Sequence, residues 1–221
     1  MNKKVVIFGC GDIGELALQY FTDDSEYEVV AFTVDSAFIT DSEYHGLPVV
    51  AFEEISSKFS PADVDVFVAL SYANLNGLRA DKIEAVMAAG YTPASYISSR
   101  ASILTKEPIG VNAFILEDNT VQPCVKIGDG VTLWSGNHIG HHSVIEDYCF
   151  ISSHVVISGG VTVGERSFLG VNATLRDHIV IGKTNVIGAG CLIMEGTDDE
   201  AVYVAKGTEK ARVPSSRLRN F

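Results

Sequence analysis

The sequence predicts a chain in two parts. An α/β unit spans residues 1–98, a β-helix of hexapeptide repeats spans 99–196, and a tail covers 197–221. Two observations lead there. Strand-like and helix-like patterns alternate through the first part. From Ala101 onward an aliphatic residue recurs at every sixth position without a single insertion. The change of period marks the boundary.

In the first part, KKVVIFG (3–9) reads as a buried strand and DIGELALQYF (12–21) as an amphipathic helix. YEVVAFTVD is a second strand ending at Asp35, and DVDVFVALS a third ending near Ser71. NGLRADKIEAVMAAG is a helix stopped by Gly90, and TPASYIS closes the unit. Strands alternating with helices imply a small parallel sheet. GCGDIG, from Gly9 to Gly14, follows the first strand and opens the first helix. Such a turn presents backbone N–H groups and a helix N-terminus to a phosphate. It nominates Gly9, Gly11, Asp12 and Ile13 as ligand contacts, with Asp35 facing a ribose hydroxyl or a base. Taken alone, the motif reads as NAD binding. The other reading is a tight turn whose glycines serve packing only.

Residues 101–196 divide into sixteen sixes, from ASILTK to CLIMEG, and the third residue of each is Ile, Val or Leu. The first is mostly small or apolar. The fourth is Gly at Gly110, Gly128, Gly140, Gly164, Gly170, Gly182 and Gly188. A period of six fits neither a helix nor a flat strand; it fits short strands wound around an axis. The aliphatic and small residues point inward and stack on their equivalents ~4.8 Å away. The glycine is expected to ease the bend to the next face. His138 then points outward from a strand, while His141, His142, His154 and His178 fall in turns. By residue type alone each is a solvated turn histidine. Metal binding is not expected: hexapeptide β-helix carbonic anhydrases hold zinc with a His-x4-His pair and one more His, a pattern that His138 and His142, with three residues between them, do not resemble.

The formal net charge of -12 argues against nucleic acid or an anionic membrane as partner. The tail is locally basic, with Lys206, Lys210, Arg212, Arg217 and Arg219 against Glu209. It reads as a solvated terminus or as a phosphate-binding patch. Cys10, Cys124, Cys149 and Cys191 are scattered, which suits a reducing compartment. The opening apolar run is too short for a signal peptide, and no stretch approaches a membrane span. A cytoplasmic protein is expected.

The hexads, with IGHH (139–142), SGGVTVG (158–164), FLGVNA (168–173) and IGAG (187–190), resemble the hexapeptide acyltransferase superfamily. The whole layout is similar to its sugar-nucleotide N-acetyltransferases, including those of bacillosamine and perosamine synthesis, and to a group of sialic acid O-acetyltransferases. That resemblance implies a Rossmann-like N-terminal domain on a left-handed parallel β-helix with three hexads to a coil. It implies a homotrimer with acetyl-CoA in the groove between neighbouring β-helices and a nucleotide-linked amino sugar on the N-terminal domain, serving a bacterial surface glycan. His141 matches the general-base position. Gly159 matches the glycine whose N–H faces the thioester carbonyl. Val171, Asn172 and Ala189 match the CoA groove, and ALSYANLNGLR (69–79) brings Ser71, Asn74 and Arg79 to the nucleotide. Two positions depart from the pattern. His142 replaces the acid that follows the base, leaving Glu146 or a carboxylate of another subunit to orient it; Trp134 replaces an Asn. The expected activity is acetyl transfer from acetyl-CoA to the amine, with His141, His142 and Gly159 at the reacting centre and no metal. The alternatives are transfer to a sugar hydroxyl, a non-catalytic trimer that binds sugar nucleotides, and, more distantly, an NAD oxidoreductase.

Overall fold

The computed structural model describes residues 3–210 and 212–217. Arg219 of the basic tail lies outside them. The N-terminal unit runs β1 (Lys3–Phe8), α1 (Asp12–Asp23), β2 (Tyr27–Val34), β3 (Glu43–Tyr44), β4 (Leu47–Ala51), α2 (Ile55–Lys58), β5 (Val64–Val68) and α3 (Gly77–Ala88). The sheet order is β3-β4-β2-β1-β5, parallel except for the β3–β4 hairpin. Val5, Val6, Ile7 and Phe8 of β1 are all buried, as a strand covered on both faces requires. With β2 and β4 on one side of β1 and β5 on the other, the direction of propagation reverses at β1. The crevice beyond the carboxyl ends of β1 and β5 is therefore a switch point, where open α/β sheets bind ligands.

The second part is a parallel β-helix of two-residue rungs on three faces, with four, six and seven strands. Successive rungs on a face lie eighteen residues apart, as in Ile139 beside Ile157 and Ile157 beside Leu175. The third-position aliphatics from Ile115 to Ile193 form one continuous core. Small first-position residues, among them Cys149 and Cys191, fill the space between them.

The corners are three-residue turns, and the sixth residue of each hexad takes the left-handed conformation. From Asn112 to Gly190, every sixth residue has φ between 52° and 79°. His142, His154 and His178 occupy such positions, a region in which His is enriched. The fourth-position glycines play a different part from the expected easing of the bend, since none has a positive φ. They are small because coils touch there. A Cβ at Gly164 would lie 2.7 Å from the carbonyl carbon of Gly182, and one at Gly140 2.5 Å from that of Ser158.

The β-helix also begins earlier and ends later than the hexads imply. Tyr96–Ile97 pairs with Phe114–Ile115, so residue 98 falls inside the first coil. Val202–Tyr203 pairs with Val186–Ile187 and adds a last rung from within the expected tail. The N-terminal unit docks on the seven-stranded face. Tyr72 packs on Phe150 and Phe168, and Phe67 on Phe114. Asp24, at the end of α1, accepts hydrogen bonds from Tyr96 Oη (2.7 Å) of the first rung and from Ser98 Oγ (3.1 Å) and Ser99 N (2.9 Å) just after it.

Two tests follow from this packing. Ile157 is fully buried mid-stack, so Ile157→Ala should destabilise by about 2–5 kcal/mol in urea unfolding. Hydrogen bonds from Ser99 and Tyr96 hold the Asp24 carboxyl down to about 2, from an ordinary 3.8. A depressed carboxyl contributes stability above its unfolded value and loses it as pH falls toward the folded one. Wild type should therefore lose stability between roughly pH 4 and pH 2, and Asp24→Asn should flatten that limb in thermal melts.

Candidate functional site

The three motif glycines have separate causes. Gly9 sits at φ +121°, and a Cβ there would lie 2.8 Å from the Ala69 carbonyl oxygen at the end of β5. A Cβ on Gly14 would run into the Gly9 carbonyl, so this glycine lets α1 pack against β1. Both are explained by packing. Gly11, at the N-cap of α1, meets nothing within 4 Å. Packing does not account for it, and the space beside it is open.

That space is a cleft of about 930 Å³. Gly9, Gly11, Asp12, Ile13, Asp35 and Ser71 line it, six of the eight residues expected to contact substrate. The other two are corrected by the structure. Arg79 is 1% exposed. Its guanidinium donates to the carbonyls of Ser71 (3.0 Å), Gly130 (3.3 Å), Tyr148 (2.9 Å) and Cys149 (3.3 Å), and to Asn76 Oδ1 (3.0 Å). Burial pulls its pKa down to about 10, still well above neutrality. Arg79 is a fastener between α3 and the β-helix and has no donor left for a phosphate. Asn74 is exposed in a left-handed turn, with its amide over Gly77, and does not line the cleft.

Other residues take their places. Lys82 Nζ lies 2.7 Å from both Asp35 oxygens and 5.4 Å over the Phe8 ring, facing the cleft. Asp35 is thus an ion-paired carboxylate, and Lys82 is available to a phosphate only in competition with it. Phe38, Leu78 and Trp134 add apolar walls, Trp134 from the β-helix. Leu78 and Lys82 are four apart on α3, while Arg79, Ile83 and Val86 form its buried face. That helical spacing was the available signal for Lys82.

The second centre is a corner of the β-helix between the six- and four-stranded faces. His141 and Gly159 are eighteen residues apart and stack there in successive coils. A Cβ on Gly159 would lie 2.7 Å from His141 Cε1 and 2.8 Å from Nε2, so only glycine admits this ring position. His141 N donates to Gln122 Oε1 (2.8 Å), and Gly160 N to the His141 carbonyl (2.8 Å), which anchors the turn. The Gly159 N–H donates to no other group among the described residues. His141 and His142 are both exposed, with their Nδ1 atoms 3.1 Å apart. His154 and His178 lie over Gly136 and Gly160 of the preceding coils.

Val171, Asn172 and Ala189 stand on a different corner, between the seven- and six-stranded faces. All three are exposed, and Gly190 N donates to the Val171 carbonyl across the coils (2.8 Å). Trp134 leads into this same corner, which places it beside the N-terminal cleft. One chain therefore carries His141 on one corner and the Val171–Ala189 step on another. Among the described residues, no group of three or more His, Cys, Asp or Glu is placed to hold a metal ion, and no helix is long and apolar enough to cross a membrane.

Residues 124–159 and 142–177 match the family model for the bacterial transferase hexapeptide, six repeats. A search of curated protein sequences found no match. Solved structures share the fold of nearly the whole chain. The acetyltransferase domain of PglB from Neisseria gonorrhoeae is 24% identical, with a TM-score of 0.80 over 91% of this chain and 96% of that one. It has also been solved with acetyl coenzyme A. PerB from Caulobacter crescentus, in complex with CoA and GDP-perosamine, is 22% identical, with a TM-score of 0.79 over 91% and 94%. WeeI from Acinetobacter baumannii is 19% identical, with a TM-score of 0.78 over 92% and 97%.

Arg79 and Lys82 should respond differently to mutation. Arg79→Ala leaves buried carbonyls unpaired at the junction and should lower stability by about 3 kcal/mol or more in urea unfolding. Lys82→Ala should stay within about 0.5–1 kcal/mol of wild type.

Proposed function

We propose that the protein is an acetyl-CoA-dependent N-acetyltransferase acting on the amino group of a nucleotide-linked sugar. The observation that carries this reading is the seating of the His141 ring over Gly159, whose backbone N–H donates to no group among the described residues. The reading draws support from the cleft at the switch point and from the fold shared with a PglB domain solved with acetyl coenzyme A and with PerB bound to CoA and GDP-perosamine. The N-terminal unit is taken as Rossmann-like and the β-helix as left-handed, in keeping with that likeness.

The chemistry needs three things: a neutral amine aligned with the thioester carbonyl, a base for its proton, and a donor for the oxyanion. In this reading Gly11, Asp12, Ile13 and Ser71 hold the nucleotide, and Asp35 with Lys82 brackets its end. The apolar walls of Phe38, Leu78 and Trp134 guide the sugar outward. Val171, Asn172 and Ala189 receive the pantetheine arm, where exposed Val171 and small Ala189 make a shallow apolar step. The amine attacks the carbonyl carbon, forming the C–N bond, and the Gly159 N–H stabilises the developing oxyanion. His141 Nε2 takes the ammonium proton. Collapse breaks the C–S bond, and the proton passes to the departing thiolate, leaving an N-acetyl sugar and free CoA thiol.

The separation of corners favours assembly. The cleft lies beside the Val171 corner, while His141 stands on another. A ring of three copies pairs the His141 corner of one with the Val171 corner of the next, and each site is then built between chains. The four free cysteines, two of them buried, suit the reducing cytoplasm. The expected role is in making a bacterial surface polysaccharide.

The test is release of CoA thiol from acetyl-CoA with UDP-, dTDP- and GDP-linked amino sugars. One amino sugar should support turnover, and His141→Ala should lower kcat by about 10²-fold or more. Turnover with sugar hydroxyls instead of amines would reassign the acceptor. Thiol release unaffected by His141→Ala would remove His141 as the base.

A further inference from the structure

We propose that His142 is the positioning residue for His141: it accepts the His141 Nδ1 proton and so keeps the Nε2 lone pair free over Gly159. This rests on the reading of His141 as the base. The observation is the 3.1 Å separation of the two Nδ1 atoms, with the rings nearly perpendicular at 85°. Two nitrogens that close must share one proton, because facing lone pairs repel and facing N–H groups clash.

The neutral pair therefore has two arrangements. In one, His141 donates from Nδ1, and its Nε2 is bare. In the other, His142 donates, the His141 proton sits on Nε2, and the base is blocked. The backbone fixes the meeting. His141 is tied through Gln122, and His142 N donates to the Pro123 carbonyl (3.3 Å), which holds it at φ 59°. When His141 takes the substrate proton it becomes an imidazolium with two N–H groups. His142 Nδ1 accepts one of them, which stabilises the charged ring as a carboxylate in the same place would. A carboxylate allows only the productive arrangement, whereas His142 allows both until it is protonated.

Other titratable groups along this corner come from neighbouring coils. Cys124 lies one coil before His142, and Asp177 and His178 lie two coils after the pair, beyond the Gly159–Gly160 coil. His138 projects from the preceding rung. Among the described residues no carboxylate lies within salt-bridge distance of His141 or His142, and Glu146 is engaged with the Glu165 N–H (3.0 Å). The expectation that Glu146 orients the base is replaced by His142.

Nitrogen-15 NMR of histidine-labelled protein reads the tautomer without any turnover, with each histidine assigned from a single replacement. With both rings neutral, His141 should be in the Nδ1–H form, the minor form of histidine in water. His142→Gly suits the left-handed turn and removes the acceptor; it should return His141 to the Nε2–H form and lower kcat about tenfold with KM for acetyl-CoA unchanged. His142→Asp keeps an acceptor and tolerates the turn. It should restore the Nδ1–H form and kcat. An Nε2–H form of His141 in wild type, or a tautomer indifferent to His142→Gly, overturns the proposal. An Nδ1–H form that depends on His142, in protein that releases no thiol with any amino sugar, upholds the pairing and overturns the reading of an amine acceptor.

Discussion

Coil-to-coil register is the constraint on which everything else in this molecule depends. Rungs eighteen residues apart pair along each face, and no insertion interrupts them from Ser102 to Ile193. One inserted residue would rotate every later side chain off its face. Because the register holds, residues eighteen apart become neighbours, and His141 meets Gly159 although no local motif joins them. The buried aliphatic column supplies the driving force, at about 1.5–3 kcal/mol for each fully buried side chain. The close approach of coils at Gly140 and Gly164 then sets how tightly corner side chains stack. The His141 ring over Gly159 is a direct result of that spacing.

The second requirement is a fixed relation between the N-terminal cleft and the β-helix. It comes from a junction in which Arg79 of α3 and Asn76, the cap before it, hold main-chain carbonyls of the corner at Gly130, Tyr148 and Arg166. Burying a guanidinium costs desolvation, and it is tolerated here because its N–H groups all find oxygen acceptors, four main-chain carbonyls and the Asn76 side-chain oxygen. At the other end of the junction, Asp24 gathers the first rung onto α1. Trp134 and Ile13 face the cleft from opposite sides of this junction. A sugar nucleotide held there would have its reach to the thioester set by rigid elements and not by a loop.

Much of this was legible in the residues themselves. The hexad period located the β-helix core position by position, and GCGDIG located the cleft. The likeness of IGHH and SGGVTVG to a transferase pattern singled out His141 and Gly159 before their contact was visible. What escaped has identifiable causes. Tyr96–Ile97 pairs as a rung, but Tyr96 turns into the N-terminal core, so the segment reads as part of the α/β unit. Val202–Tyr203 pairs sixteen residues after its partner strand, out of phase with the repeat. The burial of Arg79 depends on carbonyls from Gly130, Tyr148 and Cys149, distant in sequence. The β3–β4 hairpin turns on His45 and Gly46 at positive φ, a short signal between weak strands. The His141–His142 contact needs two side-chain torsions that no spacing rule supplies.

The central claim is that one catalytic site takes His141 from one chain and the Val171 corner from another. Mixing two inactive variants tests it most directly. His141→Ala removes the proposed base, and Val171→Glu, at a side chain 44% exposed, blocks the opposite corner without disturbing the core. Unfolded together and refolded at equal amounts, the two should regain about a quarter of wild-type thiol release, from sites that draw an intact corner from each chain. Mixtures no more active than the two variants refolded separately would contradict the account and confine the site to a single chain.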